Sequence, residues 1–230
     1  MSQSKQTLES IQADFDRIAL LTSGAWDHNA HYHKYLLKQI PSQRETALEV
    51  GCGTGEFTRN LAQRFGKVVA VDLSPQMIHQ AGERSRSYGN IDFVVADVLN
   101  YEFDDNQFDF IATIATAHHL PMKELLEVVK RSLRPDGVFV CLDLYERSTL
   151  VDIFYDIASI PLNLAFRLVK TGRILESEGI RQAYVDHGRT DKYSTISEVE
   201  YLCSSVLRGA VIKRHLFWRY SIIWKKAVIE

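Results

Sequence analysis

Residues 48–55 read LEVGCGTG, with three glycines at alternate positions directly after a run of strand-forming residues. One glycine would suffice to end a strand. Three in alternation strip the side chains from one side of a tight turn and predict a large ligand against the backbone. Gly51, Gly53 and Gly55 precede a helical pattern with Phe57, Leu61 and Phe65 on its apolar face and Gly66 as its stop. A turn at the carboxyl end of a first strand, opening a helix whose N-terminus favours anionic groups, is how open α/β sheets hold nucleotides. A dinucleotide fingerprint, G-x-G-x-x-G, would need its third glycine at position 56. That position is glutamate, which would face a pyrophosphate and argues against NAD.

Outward from this turn, five segments carry strand character: ETALEV (45–50), KVVAVD (67–72), IDFVVA (91–96), FDFIATI (108–114) and GVFVCLD (137–143). Helical patterns separate them, which predicts right-handed crossovers and a parallel sheet with helices on both faces. Ser74 before Pro75 reads as an N-cap followed by a proline in the first turn, and Pro121 opens the next helix in the same way. In that helix Met122, Leu125, Leu126, Val129 and Leu133 recur at helical spacing until Pro135-Asp136-Gly137 ends the element. The alternation then breaks: GAVIKRHLFW (209–218) and RYSIIWKKAV (219–228) read as an antiparallel hairpin.

Composition sets limits on function. A chain of 230 residues with 46% hydrophobic and 24% charged residues fits one globular domain. A formal charge of -2 leaves no electrostatic footprint for nucleic acid. Cys52, Cys141 and Cys203 show no metal-like spacing and favour a reducing compartment. The polar N-terminus lacks a signal-peptide core, so the expected location is cytoplasmic. Residues 149–169 are the most apolar long stretch, but Asp152, Asp156, Pro161, Asn163 and Arg167 interrupt it, and no membrane span is expected.

Asp72 ends the second strand, where an acid suits two ribose hydroxyls. Asp97 ends the third, where a carboxylate suits an adenine amino group. Together LEVGCGTG, VVAVDLSPQMI, FVVADVL, FDFIATIATAHHL and LRPDGVFV resemble, in order and spacing over about 47–143, the successive motifs of class I S-adenosylmethionine-dependent methyltransferases of the small-molecule type. The hairpin FWRYSIIWKK is similar to that family's last two strands. The resemblance implies a Rossmann-like, doubly wound α/β fold: a seven-stranded sheet, mostly parallel with an antiparallel last strand, with N-terminal helices and a helical insertion after strand five. It divides one domain (1–230) into an N-terminal helical lid (1–40), a cofactor-binding core (41–146), the insertion (147–190) and a last helix with the hairpin (191–230).

The resemblance also implies site roles. Gly51, Cys52, Gly53 and Gly55 would pass beneath the methionine and ribose of S-adenosylmethionine, Glu49 would support the turn, and Asp72 would hold the ribose. Leu73 and Met77 would flank the adenine, Asp97 and Val98 would read its edge, and Ile114, Ala115 and Thr116 would lie near the methionine. Plain alternatives stay open: Glu49 capping backbone groups, Met77 filling the helix core, Asp97 serving only its turn. S-adenosylhomocysteine would be the product, and no metal is required.

The methyl acceptor, a small and apolar molecule, is less legible. WDHNAHYHKYLL (26–37) places Tyr32 and His33 where a lid would touch cofactor or substrate, with a bland surface helix or a metal site on His28, His31 and His33 as the alternatives. His118 and His119 follow strand four, where parallel sheets build their sites, and are candidates for deprotonation. In the insertion, Phe154, Tyr155, Ile160, Leu162, Leu164 and Phe166 form a stripe suited to core, to a second copy of the chain in a homodimer, or to a pocket wall facing Tyr32 and His33, with His187 beside it. The chain lacks an Asn-Pro-Pro-Tyr or Asp-Pro-Pro-Tyr motif after strand four, which disfavours amide or base amino groups as acceptors. A catalytically silent S-adenosylmethionine-binding regulatory module is the alternative function.

Overall fold

The computed structural model describes residues 8–21, 28–171 and 192–228. Two helices, α1 (Leu8–Leu21) and α2 (His28–Leu37), precede β1 (Thr46–Val50), α3 (Glu56–Ala62), β2 (Lys67–Asp72), α4 (Pro75–Arg84) and β3 (Ile91–Val95). Then come β4 (Phe108–Ile114), a 3-10 turn (Ala117–His119), α5 (Met122–Ser132), β5 (Leu133–Leu144) and α6 (Leu150–Thr171). The chain closes with α7 (Ile196–Val206), β6 (Val211–His215) and β7 (Arg219–Lys225). The strands form one seven-stranded sheet in the order β3-β2-β1-β4-β5-β7-β6. β7 runs antiparallel to both β5 and β6, and the other pairings are parallel. The order reverses between β1 and β4, which places a crevice at their carboxyl ends.

Alternation along the strands divides the core between the two faces. Leu48, Val50, Ile111, Phe139, Cys141 and Ile222 pack with Leu125, Leu126 and Val129 of α5 and Val199 and Cys203 of α7. Ala47, Phe110, Ala112, Val140 and Leu142 pack with Phe57 and Leu61 of α3 and Leu36 of α2. Fully burying one such side chain contributes about 1.5–3 kcal/mol, so both helical layers are held by burial.

Helix ends follow local chemistry. Ser74 caps α4 by accepting from the Met77 backbone N–H at 3.0 Å, with Pro75 in the first turn. Thr195 and Glu198 form a reciprocal capping box on α7. Pro121 departs from the expected role: it occupies the N-cap itself, and the helix starts at Met122. Pro135-Asp136-Gly137 also differs from expectation, because α5 ends at Ser132 and Leu133 already pairs with Phe108. The three residues instead sit in a β5 irregularity before Val138 pairs with Phe110, with Asp136 at φ 62°.

The stretch after β5 is helical, as α6, with Pro161 inside the helix. Its inner side is pinned by polar contacts. Asp152 accepts from Arg214 Nε at 2.8 Å, Ser159 Oγ accepts from the Phe217 N–H at 2.8 Å, and Asn163 meets His28 Nε2 at 2.8 Å. Its outer side exposes Leu150, Phe154, Ile157 and Ile160. Among the described residues no helix is long and apolar enough to cross a membrane.

Candidate functional site

A cleft of about 460 Å³ opens at the carboxyl edge of the sheet, over β1, β2 and β4. Its floor is the glycine turn. Gly51, Gly53 and Gly55 have φ of 72°, 51° and 77°, in the left-handed region that side chains avoid. They serve different needs. A Cβ on Gly51 would lie 2.1 Å from Thr116 Oγ1, so that glycine permits close packing of two loops. A Cβ on Gly53 would meet nothing within 4 Å, which marks the backbone surface left bare for a ligand. The turn is tied to β2 by Gly51 and Cys52 N–H groups donating to Val71 O at 2.8 and 3.1 Å. The Cys52 thiol is buried and its pKa is pushed well up, so it lines the cleft as an apolar group.

Carboxylates border this floor. Asp72 Oδ2 accepts from the Gly53 N–H at 2.8 Å and Oδ1 from the Ser74 N–H at 2.9 Å. One side chain thus fixes the turn and faces the cleft, and burial pushes its pKa up. Glu49, 2% exposed, accepts from Thr58 Oγ1 at 2.5 Å, and burial raises its pKa to about 8. Asp97 Oδ1 accepts from the Leu99 N–H and Oδ2 from Asn100, so it serves its own turn while lining the cleft. Leu73, Met77, Val98, Ile114 and Ala115 line the same space, Met77 and Val98 also belonging to the packed core.

The rest of the lining comes from elements outside the glycine turn. Ile11 and Phe15 of α1 line it, and the Phe15 ring meets His119 edge to face at 5.3 Å. α1 is held there by Ser74 Oγ donating to Asp16 and by Gln80 donating to Ala19 O. His118 presents its backbone N–H and Nδ1 to the two oxygens of Asp143 at 2.7 and 2.6 Å, and Asp143 is fully buried. The His118 ring lies 3.8 Å from His119 and 5.0 Å from Tyr193. His33 lines the cleft near Glu56, at 3.9 Å, and Phe57. Arg219, first residue of β7, donates to Asn29 and to Phe217 O and also lines the cleft.

The structure therefore gathers His118, His119, His33, Glu49, Gly51, Cys52, Gly53, Asp72, Leu73, Met77, Asp97, Val98, Ile114 and Ala115 around one cavity. Gly55 is absent from the lining; it is the N-cap of α3, where a Cβ would meet Arg59, Ala81 and Phe93. Tyr32 is a further correction. It is absent from the lining, being 8% exposed, with its hydroxyl donating to Leu216 O at 2.9 Å and burial pushing its pKa to about 12. On α2, His33 turns towards the cleft while Tyr32 turns into the core.

Of the alternatives open for the α6 stripe, a pocket wall at Phe154 and Tyr155 is not seen, since neither borders the cleft and Phe154 is 69% exposed. His28 and His31 pack on Phe217 at 5.1 and 5.4 Å. His187 and the side chains of Leu164 and Phe166 lie outside the described residues. Sequence reading missed Asp143, Arg219, Asn29 and Tyr193. Asp143 had a signal, an acid at the carboxyl end of an otherwise apolar strand; the other three are placed only by tertiary structure.

A family model described as a methyltransferase domain matches residues 48–141. The demethylmenaquinone methyltransferase of Staphylococcus saprophyticus is 28% identical over 148 residues, covering 62% of this chain and 63% of that protein. That of Staphylococcus carnosus is 27% identical over 143 residues, covering 60% and 58%. The chain thus spans less than two thirds of the length of these curated relatives. The N-methyltransferase NodS from Bradyrhizobium japonicum, solved with S-adenosylhomocysteine, matches 94% of this chain and 97% of its own with a TM-score of 0.65 at 16% identity. A geranyl diphosphate C-methyltransferase from Streptomyces coelicolor matches 86% and 79% with a TM-score of 0.61 at 13% identity. At such identities the likeness is one of fold. A segment matching a methyltransferase domain, a glycine turn bare at Gly53, and acids closing β2 and the loop after β3 make residues 48–141 similar to the class I S-adenosylmethionine-dependent methyltransferases.

Proposed function

We propose that this protein transfers a methyl group from S-adenosylmethionine to a small, apolar acceptor. The observation that carries the reading is the make-up of the cleft: a bare glycine turn with Asp72 and Asp97, bordered in the same lining by Ile11, Phe15, Leu120 and the histidines. The residues present fit the cofactor. The open space above Gly53 admits a ligand against the backbone, Asp72 keeps lone pairs for ribose hydroxyls beyond those used on Gly53 and Ser74, and buried Glu49 supports the helix that follows the turn. The named activity of the staphylococcal relatives, methylation of demethylmenaquinone, supports an apolar acceptor.

S-adenosylmethionine supplies an already activated methyl group, so the protein's work is alignment and exclusion of water. Asp72 and the turn would fix the nucleoside. Ile11, Phe15 and Met77 would cover it, and the 3-10 turn would set the acceptor in line. Thermal shift and calorimetry with S-adenosylmethionine, then turnover with phenols, quinols, amines and fatty acids, read out as S-adenosylhomocysteine formed, test this. Cofactor binding with methylation of an apolar acceptor is the expected result. Binding without turnover of any acceptor would reassign the chain as an adenosyl-binding module.

A further inference from the structure

We infer that the outer face of α6 is a self-association surface, on which a second copy of this chain packs its own α6. A surface helix of a globular protein turns its apolar side to the core and its polar side to water. This helix does the reverse. Its fully buried described side chains are polar: Asp152 accepts from Arg214 Nε and from the Ser148 and Thr149 N–H groups, and Ser159 Oγ accepts from the Phe217 N–H. No described residue of α6 belongs to the packed apolar core. Its large apolar side chains are the exposed ones, Leu150, Ile153, Phe154, Ile157 and Ile160 lying between 46% and 85% accessible.

Three features select a second copy as the occupant. The first is spacing: Leu150, Ile153, Ile157 and Ile160 recur at intervals of three, four and three, the seam along which one helix packs its knobs into the holes of another. The second is area. These residues leave roughly 600 Å² of apolar surface uncovered, the top of what a monomer usually exposes and most of the ~800 Å² per partner in a standard interface. The third is charge. From Leu150 to Asn163 the charged residues are Asp152 and Asp156, with no Lys or Arg, whereas helices that lie on bilayers are rich in both cations. A seam without charged members meets its own copy across a two-fold axis with no like-charge repulsion. Pairing would also hold α6 against the hairpin by more than its polar contacts, each of which nets only about 0.5–1.5 kcal/mol, or about 1.5–3 kcal/mol where a charged group takes part.

Analytical ultracentrifugation of the full chain, from submicromolar to high micromolar concentration, tests this. The wild type should pass from monomer to dimer, and its Tm should rise with concentration. Ile157→Glu puts one charge on each side of the two-fold axis and should raise the dimer Kd by about 10²-fold or more, because unpaired charges are costly to bury. In the monomer that position is 65% exposed and tolerates the charge. Calorimetry with S-adenosylhomocysteine should return the same Kd for wild type and variant, since no described residue of α6 lines the cleft, and so shows the variant folded. Ile157→Leu should keep the dimer. The three native cysteines are buried, so a nitroxide on Phe154→Cys is the accessible label, and it should show dipolar coupling between the two copies. A chain that stays monomeric throughout, a dimer indifferent to Ile157→Glu, or uncoupled labels in the dimer each overturns the inference. So does a monomer that binds vesicles of phosphatidylcholine and phosphatidylglycerol through Ile157, which would assign the face to a bilayer.

Discussion

Buried acids sit at both edges of the sheet and are held by different partners. At the amino edge Asp109 accepts from the Glu45 and Thr46 N–H groups and from Arg134 at 3.0 Å, so a guanidinium compensates its charge. At the carboxyl edge Glu49 and Asp72 are held by a hydroxyl and by backbone N–H groups, and burial drives both pKa values up. An acid with its own cation belongs to the scaffold. An acid stabilised by dipoles, bordering a cavity and with lone pairs to spare is poised for a ligand.

Removing the bare patch that these acids border gives the largest expected effect. Gly53→Val should abolish S-adenosylhomocysteine binding by calorimetry, because the branched side chain fills the open space and resists φ of 51°. Full binding by a folded variant would remove this turn from the site. Exchanging the acids comes next. Asp72→Asn should weaken that binding by about 10–100-fold, since charge-assisted hydrogen bonds net about 1.5–3 kcal/mol. Asp109→Asn should lower unfolding stability by about 1–3 kcal/mol and leave the Kd unchanged. Equal effects of the two on Kd would erase the distinction between edges.

Glu49 gives a smaller effect that depends on pH. With its pKa raised by burial to about 8, it keeps its proton in the native chain at pH values where the unfolded chain, titrating in the ordinary glutamate range, has already lost it. Native stability should therefore be highest below that ordinary range and fall as pH climbs from there to about 8. The fall should reach a few kcal/mol at most, each tenfold change in proton affinity being worth about 1.4 kcal/mol. Glu49→Gln should flatten the slope of denaturant midpoints between those limits; an unchanged slope would place the titration elsewhere. The smallest effect belongs to the outer face of α6: in the monomer Phe154→Ser should change stability by no more than about 0.5 kcal/mol and leave cofactor affinity unchanged.

The cofactor half of the molecule was legible because its signals are local. Glycines at 51, 53 and 55 need positive φ, Ser74 and Pro75 declare a helix start, and Asp72 closes a strand, all within a few residues of the cleft's edge. The rest of the cleft depends on contacts between distant segments. Arg219 reaches the cleft because Leu144 pairs with it across β5 and β7, and Asp143 matters because the turn after β4 brings His118 onto it. Tyr32 and His33 illustrate the remaining gap: adjacent helix positions point about 100° apart, and sequence alone does not say which faces inward.

β7 lies between β5 and β6 although it follows both in the chain. During synthesis the 12-residue β5 would therefore present an unpaired edge until the final strand emerges, a template for intermolecular pairing. Its apolar middle, Val138 to Leu142, makes that interval the hazardous stage of biogenesis. Nascent chains stalled before Arg219 are expected to associate with holdase chaperones, and chains that include β7 to escape them.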